Sequence, residues 1–373
     1  MNKEKNTKIQ YLTIEEKRRL LFMSDIHGDI RLFQQALKEV NFSDQDYLFV
    51  VGDMIEKGDY LDNIAMLDYI LELSKKENVF FMAGNCDEVF RFILPPLDKE
   101  RFLYFALDKQ KSIINDLAER MKVSLSKDMD IDGFIQRAYM EYPQYFEFID
   151  KLPDVIFLND RLVLVHGGIL DIHQIPKHSL EVLKFDRFLE MSGIQPKTMI
   201  VGHNPTRNYR SDIACVNPIF DSRKNIICLD GGNNLVKGGQ LNVVILEDIH
   251  STAFSFIALD HYPKYEMKED VLHPQPKNSF TMRFGKNEVD IITRDLDFYL
   301  VQLKNSEDRL WVHQDFVFEI EGKQYCYEGS NTFLNLKKGD QISIIKRAMP
   351  YSLIKHEGVI GLIETRYLHE DLL

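Results

Sequence analysis

Six side chains in this sequence are of the kinds that hold divalent metal ions, and each sits in a short polar cluster. Asp25 and His27 lie in Ser24-Asp25-Ile26-His27-Gly28-Asp29, Asp53 follows Gly52, and Asn85 lies in Gly84-Asn85-Cys86-Asp87. His166 opens His166-Gly167-Gly168, and His203 lies in Gly202-His203-Asn204. Carboxylate, imidazole and amide donors with no required thiolate suit manganese, iron or zinc. Taken singly, each residue is more simply a satisfied polar side chain or a helix cap. Taken together and in this order, they point to a metal site.

The elements around them must bring the clusters together. Apolar runs at 20–23, 47–51 and 79–82 predict strands, and each stops at a polar cluster; amphipathic spacing over 32–40 and 61–73 predicts the intervening helices. Further strands are expected at 155–158 and 162–165, a hairpin turned at Asn159-Asp160, then at 198–201 and 226–229, the last ending at Asp230-Gly231-Gly232. Runs at 241–249 and 253–258 read as a closing pair of strands. In α/β sheets, ligands bind beyond the carboxyl ends of strands, so the repeated placement is what a site requires. The aromatic, helical stretch 97–152 reads as a helical cap insertion. After a polar, Pro-containing linker at 261–277, short alternating runs predict a small all-β module over 278–373, leaving 1–260 as the catalytic domain.

The ordered clusters resemble the calcineurin-like metallophosphoesterases, whose pattern runs Asp-x-His-Gly, Gly-Asp-x-x-Asp-Arg-Gly, Gly-Asn-His-Glu, His-Gly-Gly and Gly-His-Thr. The matching segments are Asp25 to Gly28, Gly52 to Gly58, Gly84 to Asp87, His166 to Gly168 and Gly202 to Asn204. Each block is weak alone; five in order are a strong signal. The resemblance implies an α/β fold, a four-layer β-sandwich flanked by helices. It also implies two divalent metal ions, manganese foremost in vitro. Asp25 and His27 would hold the first, Asp53 would bridge, and Asn85, His166 and His203 would hold the second. A shared carboxylate limits repulsion between two cations about 3.5–4 Å apart, which together acidify a water and grip phosphoryl oxygens. The single His of the fifth block, the segment Tyr145 to Pro153 and the segment Leu183 to Arg187 are similar to the bacterial serine/threonine phosphoprotein phosphatases. By that likeness Arg187 would clamp substrate phosphate, a task for a planar fork of donors.

The sequence departs from the pattern where the family carries a carboxylate-supported catalytic His. Glu56 and Cys86 occupy those positions. A thiol cannot reproduce an imidazole held by a carboxylate, and losing such an acid costs about 10²- to 10⁴-fold in rate. The Gly-Asn-Cys-Asp form resembles a variant of the phosphodiesterase-like branch. His173 and His178 are candidates for an alternative acid, Lys57 replaces the usual Arg while keeping its charge, and Arg91 is a further candidate phosphate binder.

The expected activity is therefore phosphate ester hydrolysis by metal-activated water, phosphoprotein phosphatase-like in substrate. The alternatives are a phosphodiesterase or nucleotide phosphohydrolase, and a metal-binding regulatory module with little turnover. At 373 residues the chain exceeds one hydrophobic core, so two domains are expected. A formal charge of -12 disfavours general nucleic-acid binding. No apolar run approaches a membrane span and the N-terminus has no export-type core, so a cytoplasmic protein is expected. The four cysteines show no metal or disulfide spacing. Expected partners are a phosphorylated protein or small molecule, with the C-terminal β module a possible partner-binding surface or merely a lid.

Overall fold

The computed structural model describes residues 5–14, 17–57, 62–90, 99–109, 111–274, 279–327 and 330–369. Its chain divides into two compact units. The first comprises 1–204, 218–235 and 241–259; the second comprises 205–217, 236–240 and 260–373.

In the first unit, β2 (Arg19–Met23), β3 (Asp46–Val51) and β4 (Val79–Met82) pair in parallel. β11 (Leu241–Leu246) runs antiparallel to β2, and β12 (Phe254–Leu259) completes this sheet. A second sheet has the order β1-β5-β6-β7-β10-β9. Its strands are β1 (Ile9–Leu12), β5 (Val155–Leu158), β6 (Leu162–Val165), β7 (Thr198–Val201), β9 (Ile219–Asp221) and β10 (Ile226–Cys228). One apolar cluster joins the sheets, with Leu20, Phe22, Phe49 and Val244 from the first and Ile156, Leu164, Ile200 and Ile227 from the second. Strand periodicity explains the other face. Leu21, Met23, Leu48 and Val50 alternate with that cluster and are equally buried, so the central strands are apolar on both sides, as parallel strands covered by helices must be.

Helix α1 (Ile30–Glu39) buries Leu32, Phe33, Ala36 and Leu37, and α2 (Asn63–Leu73) buries Ile64, Met66, Leu67 and Ile70. Asp29 and Asp62 cap them by accepting the N–H groups of Leu32 and Ala65, so helix starts coincide with the ends of the site loops. Between β4 and β5 lies a helical insertion: α3 (Lys99–Leu103), a π-helical turn (Tyr104–Lys109), α4 (Ile113–Met121), α5 (Ile131–Glu141) and α6 (Pro143–Lys151). The first residues of the expected cap, 97 and 98, lie outside the described residues.

Among the described residues the second unit is all β apart from short 3-10 turns. Its main sheet joins Lys264–Glu266, Gln341–Lys346, Tyr351–His356, Val359–Glu364 and β8 (Ala214–Cys215). The stretch expected to be a linker is built into this sheet: Lys264–Glu266 pairs with Gln341–Lys346, and Tyr265, Met267 and Val271 are buried in its core. The alternation of apolar residues there was too short to stand out against the flanking charges. All four cysteines are buried and none is in a disulfide. Among the described residues no helix is long and apolar enough to cross a membrane.

Candidate active site

The loops after β2, β3, β4, β6 and β7 carry the six sequence-selected residues to one place. Backbone hydrogen bonds fasten the first two loops: Asp25 N–H to the Gly52 carbonyl at 3.1 Å, His27 N–H to Asp53 at 3.0 Å and Gly28 N–H to Met54 at 2.8 Å. Asp25, His27, Asp53 and His203 all adopt left-handed backbone, with φ of 56°, 53°, 52° and 69°. Such conformations cost about 1–3 kcal/mol each in non-glycine residues and persist where the surroundings impose them, often at functional sites. Two glycines permit the crowding. A Cβ on Gly84 would lie 2.1 Å from Asp53 N, and one on Gly202 would lie 2.4 Å from Asp25 Oδ2.

Asp53 is common to two sets of candidate metal donors, one with His27 and Cys86 and one with Asp25 and His166; within each set the donor atoms lie within 4.8 Å of one another. His27 Nε2 stands 3.8 Å from Asp25 Oδ1 and 3.9 Å from Asp53 Oδ2. On the other side His166 Nε2 is 3.3 Å from Asp53 Oδ1 and 3.2 Å from Asn85 Oδ1. The His203 ring lies 5.4 Å from that of His166, and the His203 backbone N–H donates to Asp25 Oδ2 at 3.1 Å. Two of the three candidate imidazoles have Nδ1 on a backbone carbonyl, His27 on Glu56 at 3.0 Å and His166 on Val51 at 2.8 Å, which leaves their Nε2 facing the carboxylates.

This arrangement fits a cation. Asp25 Oδ1 and His27 Nε2 are buried and have no hydrogen-bond partner, an expensive condition that a divalent ion between them would relieve. The electrostatics agree. Burial pushes Asp25 up to about 6 and His27 down to about 4. Burial also works against a charged His166, yet Asp53 and Asp25 overcome it and hold the imidazole up to about 10. A site that draws a proton onto a buried imidazole is deficient in positive charge.

The remaining candidates separate. Cys86 lies inside the cluster, its N–H donating to Asp53 Oδ1 at 2.7 Å, and burial pushes its thiol well above the ordinary range. Lys57 is close by: burial opposes its charge, but Cys86 and Asp53 prevail and hold the ammonium above its ordinary value. Glu56 is held at the start of α4. Its Oε1 accepts the Ser112 hydroxyl and the Ile113 N–H, both at 2.8 Å. Arg187 is exposed and pairs with Glu190; its neighbour Asp186 is the residue that meets His203, at 2.8 Å from Nε2. His173 is exposed, and His178 precedes the short helix Ser179–Leu183 and bridges to Asn6. Arg91 lies outside the described residues.

Sequence reasoning passed over three acids. Asp87 is fully buried and accepts N–H groups from Met54, Ile55 and Gly84, tying the second and third loops together. Asp186 was hidden beside the more conspicuous Arg187. Asp230, at the end of β10, is buried with Oδ2 unpartnered, and burial with the charge of Asp25 drives its carboxyl well above the usual range. Its position at a strand end was the available signal.

Comparison with known proteins places this geometry. A 67-residue stretch is 36% identical to the symmetrical bis(5'-nucleosyl)-tetraphosphatase of Buchnera aphidicola subsp. Acyrthosiphon pisum (strain Tuc7), covering 18% of this chain and 23% of that protein. The protein of the same description from Buchnera aphidicola subsp. Schizaphis graminum (strain Sg) matches at 33% over 69 residues, covering 18% and 24%. The matches thus span about a quarter of those relatives. Among solved structures, a serine/threonine phosphatase from Saccharomyces cerevisiae aligns with TM-score 0.43 at 11% identity, covering 74% of this chain and 87% of its own. A metallophosphoesterase from Sphaerobacter thermophilus aligns with TM-score 0.37 at 14% identity, covering 66% and 89%. The sequence model described as calcineurin-like phosphoesterase matches residues 18–214, more than half of the chain and the whole run of site loops from Asp25 to His203, and the chain belongs to that family.

Proposed function

We propose that this chain hydrolyses phosphate esters as a phosphoprotein phosphatase-like phosphomonoesterase. It would use two divalent ions, manganese foremost in vitro, held by Asp25, His27, Asp53, Asn85, His166 and His203. The observation that carries the reading is Asp53, one buried carboxylate common to two sets of donors. Bound ions would supply Lewis acidity, lowering the pKa of water and neutralising phosphoryl charge.

The chain's own residues supply order and charge. Asp25 and His27 would serve one ion, Asn85, His166 and His203 the other, with Asp53 between. The carbonyls of Glu56 and Val51 fix the His27 and His166 rings with Nε2 toward the carboxylates, where each would serve as a ligand. Lys57 places a half-buried positive charge beside Cys86 and Asp53, suited to a phosphoryl oxygen as a point charge rather than a fork. We assign catalysis to the first unit and leave to the β unit the selection of a phosphorylated partner.

A nucleotide phosphohydrolase or phosphodiesterase is the second reading, favoured by Cys86. A buried thiol is a poor proton donor, which matters little when the leaving group is itself a phosphate of low pKa. The bis(5'-nucleosyl)-tetraphosphatase relatives point the same way. The test loads the protein with manganese and compares an aryl phosphomonoester, an aryl phosphodiester and a dinucleoside tetraphosphate by kcat/KM. A preference for the monoester supports the first reading; a preference for either other substrate replaces it. Metal uptake without turnover on all three would favour a regulatory metal-binding module.

A further inference from the structure

Glu56 makes hydrogen bonds in three directions, and together they connect the helical insertion to the metal-ligand cluster. Its carboxylate Oε1 accepts the hydroxyl of Ser112, the N-cap of α4, and the first helical N–H at Ile113, both at 2.8 Å. Its own N–H donates to Asn63 Oδ1 at 2.8 Å, and the Asn63 amide donates onward to Asp116 Oδ2, one turn into the same helix, at 2.8 Å. Its carbonyl accepts His27 Nδ1–H at 3.0 Å. Glu56 is 1% exposed and Asn63 is fully buried, so water cannot stand in for these bonds. The backbone of Glu56 and Lys57 is left-handed, with φ of 66° and 64°, a conformation that non-glycine residues keep only when held.

We infer that Glu56 is a positioning residue through which the insertion sets the orientation of His27 and Lys57, rather than half of a catalytic dyad. A carboxyl oxygen at the start of α4 satisfies two donors, the Ser112 hydroxyl and the Ile113 N–H that the helix leaves open, so the side chain is held toward Ser112. Any shift of α4 then moves the carbonyl that fixes the His27 ring. The inference rests on the metal reading proposed above.

The test uses the full-length protein. Manganese affinity and stoichiometry are measured by equilibrium dialysis with metal analysis, and amide hydrogen exchange is followed over 52–57 and 112–121, for wild type, Ser112→Ala, Glu56→Gln, Glu56→Ala and Asp130→Ala. Ser112 touches no candidate ligand. Asp130 caps α5 through Gly133 N–H and serves as an insertion variant remote from Glu56. Outer-sphere partners of metal ligands are worth about 10- to 100-fold in affinity. The expected result is a loss of about tenfold or more in Glu56→Ala and a smaller loss in Ser112→Ala, with faster exchange over 52–57 in both. Glu56→Gln, which keeps an acceptor oxygen, should recover most of the affinity, and Asp130→Ala should retain it. If wild type binds manganese and Ser112→Ala binds equally well with unchanged exchange over 52–57, the coupling is refuted while the metal reading stands. Wild type that takes up no manganese, zinc or iron removes the metal reading and this inference together.

Discussion

Asp87 offers a stringent test of how the site loops are held. Its Oδ1 accepts Met54 N–H at 2.9 Å and Ile55 N–H at 3.2 Å, and its Oδ2 accepts Gly84 N–H at 2.9 Å, all in a fully buried setting. Replacement by Ala leaves three buried donors unpaired, each costing about 1–3 kcal/mol, or about 6 kcal/mol together at the middle of that range. Against this, burial and the nearby charge of Asp53 raise the carboxyl from 3.8 to about 7. Keeping it ionised above neutral pH therefore costs about 4 kcal/mol in metal-free protein, which the variant no longer bears. The net loss is about 2 kcal/mol, equivalent to a fall in Tm of about 4–8 °C for a unit of this size. Asp87→Asn sheds the charge, keeps Oδ1 for two donors and leaves only Gly84 N–H facing an amide, so on the same accounting it regains about 4 kcal/mol, loses about 2, and should be at least as stable as wild type. Scanning calorimetry of metal-free protein at pH 8, following the transition of the first unit, decides the matter. The reasoning fails if Asp87→Asn is as destabilised as Asp87→Ala, or if Asp87→Ala melts with wild type.

Asp53→Asn should reduce bound divalent ion below one equivalent and lower phosphatase activity by about 100-fold or more, since one carboxylate serves both donor sets; metal analysis after dialysis reads the first effect. Metal affinity should rise with pH. His166 is held up to about 10, so an incoming ion must displace its proton, and the apparent Kd should tighten by about tenfold per unit between pH 7 and 9. Calorimetry in buffers of different ionisation enthalpy would show the released proton, and a Kd independent of pH over that window would contradict the charge deficit described. Cys86→His should raise kcat on an alkyl phosphomonoester by less than about 10²-fold, because Oε1 of the Glu56 carboxylate that would support the imidazole is already engaged with Ser112 and Ile113. A gain of about 10⁴-fold would mean that an acid-supporting partner is in place after all.

The identity of the cluster was local information. Strands β2, β3, β4, β6 and β7 end where an apolar run gives way to a cluster bearing a carboxylate, amide or imidazole side chain, and apolar period and chain punctuation survive in the linear sequence. For that reason Asp25, His27, Asp53, Asn85, His166 and His203 could be selected from order and residue type before any coordinates. Direction is another matter. Arg187 and Asp186 are neighbours in the chain, and only the packing of their turn decided that the acid meets His203 while the arginine turns to Glu190. Glu56 and Ser112 are 56 positions apart, and no periodicity relates them. Nor does composition mark 205–217 and 236–240 as belonging with the β unit. Residue type and strand spacing determine which donors are available, because both arise within a few bonds of the backbone. Which way a side chain faces, and what it finds there, depends on burial contributed by segments far away in sequence, and only the assembled tertiary structure settles it.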